Sequence, residues 1–219
     1  MTEHRYSDAE RAALYRAIYE RRDMRHFLPD PVEPELLRRL LDAAHHAPSV
    51  GFMQPWRFIQ ITAHDLRARL HALVEQERQR TAKALHERED EFMKLKVEGI
   101  LDCAVVLVAA LCDRREKAVF GRRTLPEMDL ASLACAIQNL WLAARAEGLG
   151  MGWVSLFEPE DVKQLLAMPD DSHPVAILCL GHVERFYDKP MLEEARWAQR
   201  MPLDDLLFEN HWNGRAANV

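Results

Sequence analysis

The chain is expected to fold as an α+β layered domain, because helical and strand patterns mix without the regular alternation of a parallel βαβ sheet. Three stretches carry that expectation. CAVVLVAAL at 103–111 is short, apolar and valine-rich, the mark of a buried strand rather than a helix. Residues 128–147 have the length and the Ala and Leu content of a core helix, and Gly148 stops it. MGWVSLF and HPVAILCLGHV are two more strand candidates, with a helix over 159–168 between them.

Taken in order, the chain begins with a capping box. Ser7, followed three residues on by Glu10, opens a helix through Ala12, Ala13, Tyr15, Ala17 and Ile18 that runs into Arg21. A second helix starts around Pro34, carries Leu36, Leu37, Leu40, Leu41 and Ala44 on one face, and stops before Pro48. The loop APSVGFMQPW then leads into a short strand, RFIQI. Residues 64–98 place leucines at helical spacing early on, but HEREDEFMKLKVEG has too few apolar residues to pack all round. An exposed helix or a mobile cover is expected there.

At 219 residues and 48% hydrophobic composition, one domain over 1–219 with a substantial core is the economical reading. A net charge of −6 argues against nucleic acid or a membrane surface as partner, since both need a continuous excess of Lys and Arg. MTEHRYSDAERA lacks the order of a signal peptide, and no apolar run approaches the roughly 20 residues of a spanning helix. A soluble, cytoplasmic protein is expected. Cys103, Cys112, Cys135 and Cys179 form no C-x-x-C pair and have no His at ligand spacing, so buried free thiols and no metal site are expected. There is no repeat or low-complexity segment.

RRDMRHF, residues 21–27, sets three arginines around one aspartate at the end of the first helix. Neighbours on a helix point about 100° apart, so Arg21, Arg22 and Arg25 converge only if the helix unwinds at Asp23. Guanidinium forks match phosphate oxygens, while the competing reading is a solvated cluster paired with Glu20 and Asp30. In APSVGFMQPW a glycine supplies an unusual backbone angle, and Met53, Gln54 and Trp56 stand together as a wall for a flat ring or as a cap on the core. Gly148, Gly150 and Gly152 let backbone approach something closely, and the adjoining strand presents Ser155, although the spacing is not that of a phosphate loop. His45 and His46 face apart, His182 is expected in the core, and no nucleophile elbow surrounds Ser155.

RRDMR, APSVGFMQPW, the G-x-G-W-V-S strand and the late RMPLDDLLFE together resemble the nitroreductase-like flavoprotein superfamily, over nearly the whole chain from Tyr15 to Trp212. RRDMR, with Asp where the superfamily usually has Ser, APSVGFMQPW and AIQNLWLAARAEGLGMGWVS are similar to its flavin-fragmenting branch, the 5,6-dimethylbenzimidazole synthases. The resemblance implies a nitroreductase-like fold, with a mixed central sheet flanked by helices, and an intertwined homodimer holding FMN at its interface. Helix 128–147 and a C-terminal arm are the implied dimer contacts, and the charged segment at about 75–98 is the implied lid.

By the same resemblance, Arg21, Arg22, Arg25 and Arg200 grip the FMN phosphate and ribityl chain. Met24, Ser49, Gly51, Met53, Trp153 and Val154 complete the implied cofactor site, together with the implied catalytic pair, Asp23 and Ser155. Asp23, among arginines, is expected to be ionised and to act as acceptor or general base towards the ribityl hydroxyls or the isoalloxazine edge, with Ser155 donating to the ring. The implied activity is an oxidoreductase of cobalamin biosynthesis that fragments reduced FMN with dioxygen into 5,6-dimethylbenzimidazole and erythrose 4-phosphate. NAD(P)H would enter only through a separate flavin reductase. Two other functions stay open: an FMN-dependent NAD(P)H nitroreductase or quinone reductase, and an FMN-binding module without turnover.

Overall fold

The computed structural model describes residues 4–112 and 120–212. Helix α1 (Asp8–Glu20) opens on the expected capping box: the Ser7 hydroxyl accepts from the Glu10 N–H at 3.3 Å, and the Glu10 carboxylate accepts from the Ser7 N–H at 2.9 Å. Proline in the first turn starts α2 (Pro34–His45). There follow β1 (Trp56–Ile61), α3 (His64–Ala84), α4 (Glu89–Met93), β2 (Val105–Leu111), α5 (Met128–Ala146), β3 (Gly150–Val154), α6 (Pro159–Leu165), β4 (His173–Gly181) and a short α7 (Met191–Glu194). Gly148 closes α5 at φ +79°: its N–H donates to the Arg145 carbonyl at 3.2 Å, and that of Leu149 donates to the Ala144 carbonyl at 2.8 Å. This is the Schellman closure that the glycine foretold.

The strands form one sheet in the order β1-β2-β4-β3, with every strand pairing antiparallel. The expected mixed character shrinks to one isolated parallel bridge among the described residues, Asp23 to Met151. Strand alternation splits the core in two. Val105, Leu107, Ala109 and Leu111 of β2 join a cluster with α2 and α5, whereas Val106 and Val108 join one with α3 and α6. Helices cover both faces, so β2 is buried along its whole length and reads as an unbroken apolar run. Each large aliphatic side chain so buried contributes about 1.5–3 kcal/mol.

The charged stretch after β1 is more ordered than its composition implies. Leu70, Val74 and Ala82 are buried along α3, α4 buries Phe92, and Arg78 donates to the carbonyls of Met93 and Leu95 at 2.6 and 3.1 Å. Cys103, Cys112 and Cys179 are buried free thiols as expected, but Cys135 is exposed because it falls outside the buried stripe of α5.

By its internal contacts the chain comprises two compact units, Met1–Phe186 and Tyr187–Val219. The first holds the sheet and α1 to α6. In the second, a helical turn at Leu203–Asp205 follows α7, and Phe208 stacks on Trp212 at 5.7 Å. No described helix is long and apolar enough to cross a membrane.

Candidate active site

Helix α1 gives way to extended backbone at Arg21, with φ −60° and ψ 134°. Arg22 Nη1 donates to the carbonyls of Tyr19 and Arg21 at 2.8 and 2.9 Å, which satisfies acceptors that a helix end leaves open. Two residues of α5 fix the same corner: Arg145 donates to the Glu20 carboxylate at 2.6 Å, and Trp141 Nε1 donates to the Arg22 carbonyl at 3.3 Å. The Arg21 guanidinium lies over the Trp141 ring, 4.5 Å from its centroid. The chain then runs alongside β3, where the Met24 N–H donates to the Met151 carbonyl at 3.0 Å.

Asp23 is held at both oxygens. Oδ1 accepts the Trp153 N–H at 2.9 Å, and Oδ2 accepts from Arg25 Nη2 at 2.6 Å. The same Nη2 donates to the Trp153 carbonyl at 2.8 Å. Desolvation raises the Asp23 carboxyl above its ordinary value, and the Arg25 guanidinium, the Trp153 N–H and Arg21 pull it only part of the way back. The arginines were expected to decide this balance, but desolvation by the surrounding chain outweighs them, even though the Asp23 side chain keeps 41% of its surface exposed. A carboxylate so raised is the stronger base.

The three arginines of the motif take different settings. Arg21 and Arg22 are half-buried at the helix end, whereas the Arg25 side chain is turned inward, 7% exposed, against Asp23 and β3. The glycines explain how: a Cβ on Gly152 would come within 3.0 Å of both the Met24 carbonyl oxygen and Arg25 Nη1, and one on Gly150 would crowd Val183 and Met24. What these glycines let approach is the chain's own 23–25 segment.

Among the remaining expected residues, Ser49, Gly51 and Met53 lie in a tight loop. The Ser49 hydroxyl accepts from the Gln54 N–H at 3.1 Å, and the Val50 N–H donates to Ser132 Oγ at 3.0 Å. Gly51, Phe52 and Gln54 all take left-handed φ, at 52°, 54° and 49°, and the two non-glycine residues cost of order 1–3 kcal/mol each. Trp56 does not line a ring site: it is buried in β1 and donates to His45 Nδ1 at 3.3 Å. Met24 and Val154 are buried, so what they offer a ligand is main chain. Ser155 is exposed just beyond β3, and Trp153 is half-buried with its ring 6.4 Å from that of Trp141. Arg200 belongs to the second unit. His182 lies past the end of β4 rather than in the core, with Nε2 3.2 Å from the Pro31 carbonyl.

Trp141, Arg145 and Ser132 are site-building residues that sequence reasoning missed. The signal for the first two was present as an i, i+4 pair on the core helix, a spacing that puts both on one face. The residues present fit a phosphorylated flavin: cations at the helix end suit a phosphate, two tryptophans offer flat apolar surface, and the Asp23 carboxylate is fixed by the Trp153 N–H and Arg25.

The nitroreductase family model matches residues 18–182, and the chain belongs to that family. It is 40% identical over 188 residues to a protein of Rhodospirillum rubrum named 5,6-dimethylbenzimidazole synthase, a match covering 83% of this chain and 87% of that one. Among solved structures, it resembles a BluB-like flavoprotein from Clostridium difficile with a TM-score of 0.69 at 19% identity, covering 90% of this chain and 99% of the other. It also resembles an iodotyrosine deiodinase bound to FMN and 3-iodo-L-tyrosine, with a TM-score of 0.67 at 22% identity, covering 80% of this chain and 92% of the other.

Proposed function

We propose that the protein is a 5,6-dimethylbenzimidazole synthase, an oxidoreductase that fragments reduced FMN with dioxygen to 5,6-dimethylbenzimidazole and erythrose 4-phosphate. The observation that carries this reading is the Asp23 carboxylate, fixed by the Trp153 N–H and Arg25 at the position where the superfamily resemblance implies Ser in reductases. The named relative from R. rubrum supports it. FMN as ligand is supported by the FMN-bound neighbour and by the match of donor chemistry.

Reduced FMN, when bound, supplies the reactivity towards dioxygen. The protein's own groups bind, orient and move protons. Arg21 and Arg22 hold the phosphate. Ser49, Gly51 and Met53 border the ring from the strained loop, Trp153 offers it a flat side, and Ser155 donates a hydrogen bond to its polar edge. Asp23 takes a proton from a ribityl hydroxyl or the isoalloxazine edge, a task that its raised pKa favours. The segment at 75–98 is the lid that excludes bulk water. A homodimer is supported by α1, which buries none of its residues and leaves Leu14, Tyr15, Ile18 and Tyr19 exposed, and by the exposed Leu203, Leu206 and Phe208 of the C-terminal unit. A separate flavin reductase draws on NAD(P)H, and the setting is cytoplasmic.

Asp23→Asn and Asp23→Ser test the assignment. Both keep bound FMN, and both lower dimethylbenzimidazole formation by on the order of 10²-fold or more, the usual worth of a positioned base. Product at the original rate from the Asn variant would reduce Asp23 to a counterion.

A further inference from the structure

We propose, resting on the reading of Asp23 as the base, that Arg25 is a positioning residue for the Asp23 carboxylate and not a ligand of the flavin phosphate. Direction is the first ground. Met151, Trp153 and Trp141 belong to the core cluster on the α5 side of the sheet, and Arg21 lies over Trp141. Val154 belongs to the cluster on the other side, and alternation along β3 puts Gly152 on the face of Val154. A Cβ on Gly152 would come within 3.0 Å of Arg25 Nη1. The Arg25 guanidinium therefore passes β3 on the face opposite to Trp141, over which Arg21 lies, so the two cations reach the corner from different sides.

Commitment is the second ground. With its side chain 7% exposed, Arg25 donates through Nη2 both to Asp23 Oδ2 at 2.6 Å and to the Trp153 carbonyl at 2.8 Å. The same peptide strand donates the Trp153 N–H to Asp23 Oδ1 at 2.9 Å. Arg25 thus ties the carboxylate to the strand that fixes its other oxygen, which leaves one orientation for the base. Gly152 is part of the device, since any side chain there would collide with the Met24 carbonyl and push the 23–25 segment off β3. Among the described residues, the charged groups acting on Asp23 are Arg25 and Arg21, so removing each in turn separates positioning from phosphate binding.

The test compares Arg25→Leu, Arg25→Lys and Arg21→Leu in the full chain by three readouts: titration with FMN and with riboflavin, carboxyl-carbon NMR titration of Asp23, and product formation. Positioning predicts that Arg25→Leu keeps the preference for FMN over riboflavin within about twofold, moves the Asp23 titration to higher pH, and slows product formation by about 10²-fold. Arg25→Lys, which keeps a cation, recovers part of both losses. In an Asp23→Asn background, Arg25→Leu adds nothing further, as expected of two residues acting as one unit. A tenfold fall in FMN preference with the Asp23 titration unmoved would overturn the proposal. If Arg25→Leu does not fold, Arg25→Lys and Gly152→Ala are read by the same criteria. Should wild-type protein make no dimethylbenzimidazole, the functional reading fails while the riboflavin comparison and the NMR titration still decide the role of Arg25.

Discussion

Gly152→Ala probes the architecture of the site through one methyl group. Its Cβ would lie inside 3.0 Å of the Met24 carbonyl oxygen and Arg25 Nη1, against the roughly 3.3–3.6 Å at which carbon and oxygen settle. The first of these neighbours is backbone and cannot swing aside, so the 23–25 segment must move off β3. Two hydrogen bonds are then at stake: Met24 N–H to the Met151 carbonyl at 3.0 Å, and Trp153 N–H to Asp23 Oδ1 at 2.9 Å. At about 0.5–1.5 kcal/mol for the neutral bond and about 1.5–3 for the charged one, less about 0.4–1 gained by restricting the unfolded chain, the net loss is about 1–4 kcal/mol. Gly148→Ala is the control, because its Cβ meets nothing within 4 Å and only φ +79° opposes it, worth about 1–2 kcal/mol. Urea unfolding at fixed protein concentration, with FMN retention measured in parallel, reads both variants. Retained FMN binding together with a stability loss in Gly152→Ala below that of Gly148→Ala would refute the packing described for β3.

Product formation should fall as pH drops through the raised Asp23 value, because the base works only when ionised; a pH–rate profile with no acid limb above the ordinary 3.8 would contradict this. The sign for stability is opposite: a raised carboxyl stabilises the fold below its unfolded value and loses that contribution as pH rises through the folded one, which urea titrations across the acid range can follow. Arg21→Ala should weaken FMN binding by about 1–3 kcal/mol in fluorescence titrations, the range for charge-assisted bonds to phosphate. Excising the turn His86–Arg88 should leave the fold intact and give hydrogen peroxide in place of dimethylbenzimidazole, as assayed by peroxidase coupling; unchanged product yield would remove the lid role from 75–98.

Much of the fold was legible because local rules and tertiary packing agree. The capping box at Ser7, the proline that opens α2 and the glycine that closes α5 each act within one helical turn, so the sequence alone sets those boundaries. The buried run of β2 announced a strand, yet its antiparallel pairing on both sides depends on chain order in the sheet, which no local pattern carries. In the candidate site, RRDMR falls at the corner where the chain meets β3, but the direction of Arg25 depends on a glycine over 120 positions later and could not be read from spacing. The raised Asp23 carboxyl escaped for a similar reason: counting neighbouring arginines measures charge and leaves out the desolvation that a folded corner imposes. Trp56 looked like a ligand wall because it adjoins a strained loop, while the pleat of β1 turns it into the core.

The most direct measurement mixes the purified protein with reduced FMN and dioxygen and identifies the products by mass spectrometry. A flavin-fragmenting enzyme gives 5,6-dimethylbenzimidazole and erythrose 4-phosphate, with FMN consumed in proportion. Intact FMN accompanied by hydrogen peroxide, with rapid NAD(P)H oxidation when a nitroaromatic is added, would contradict that function and establish a reductase.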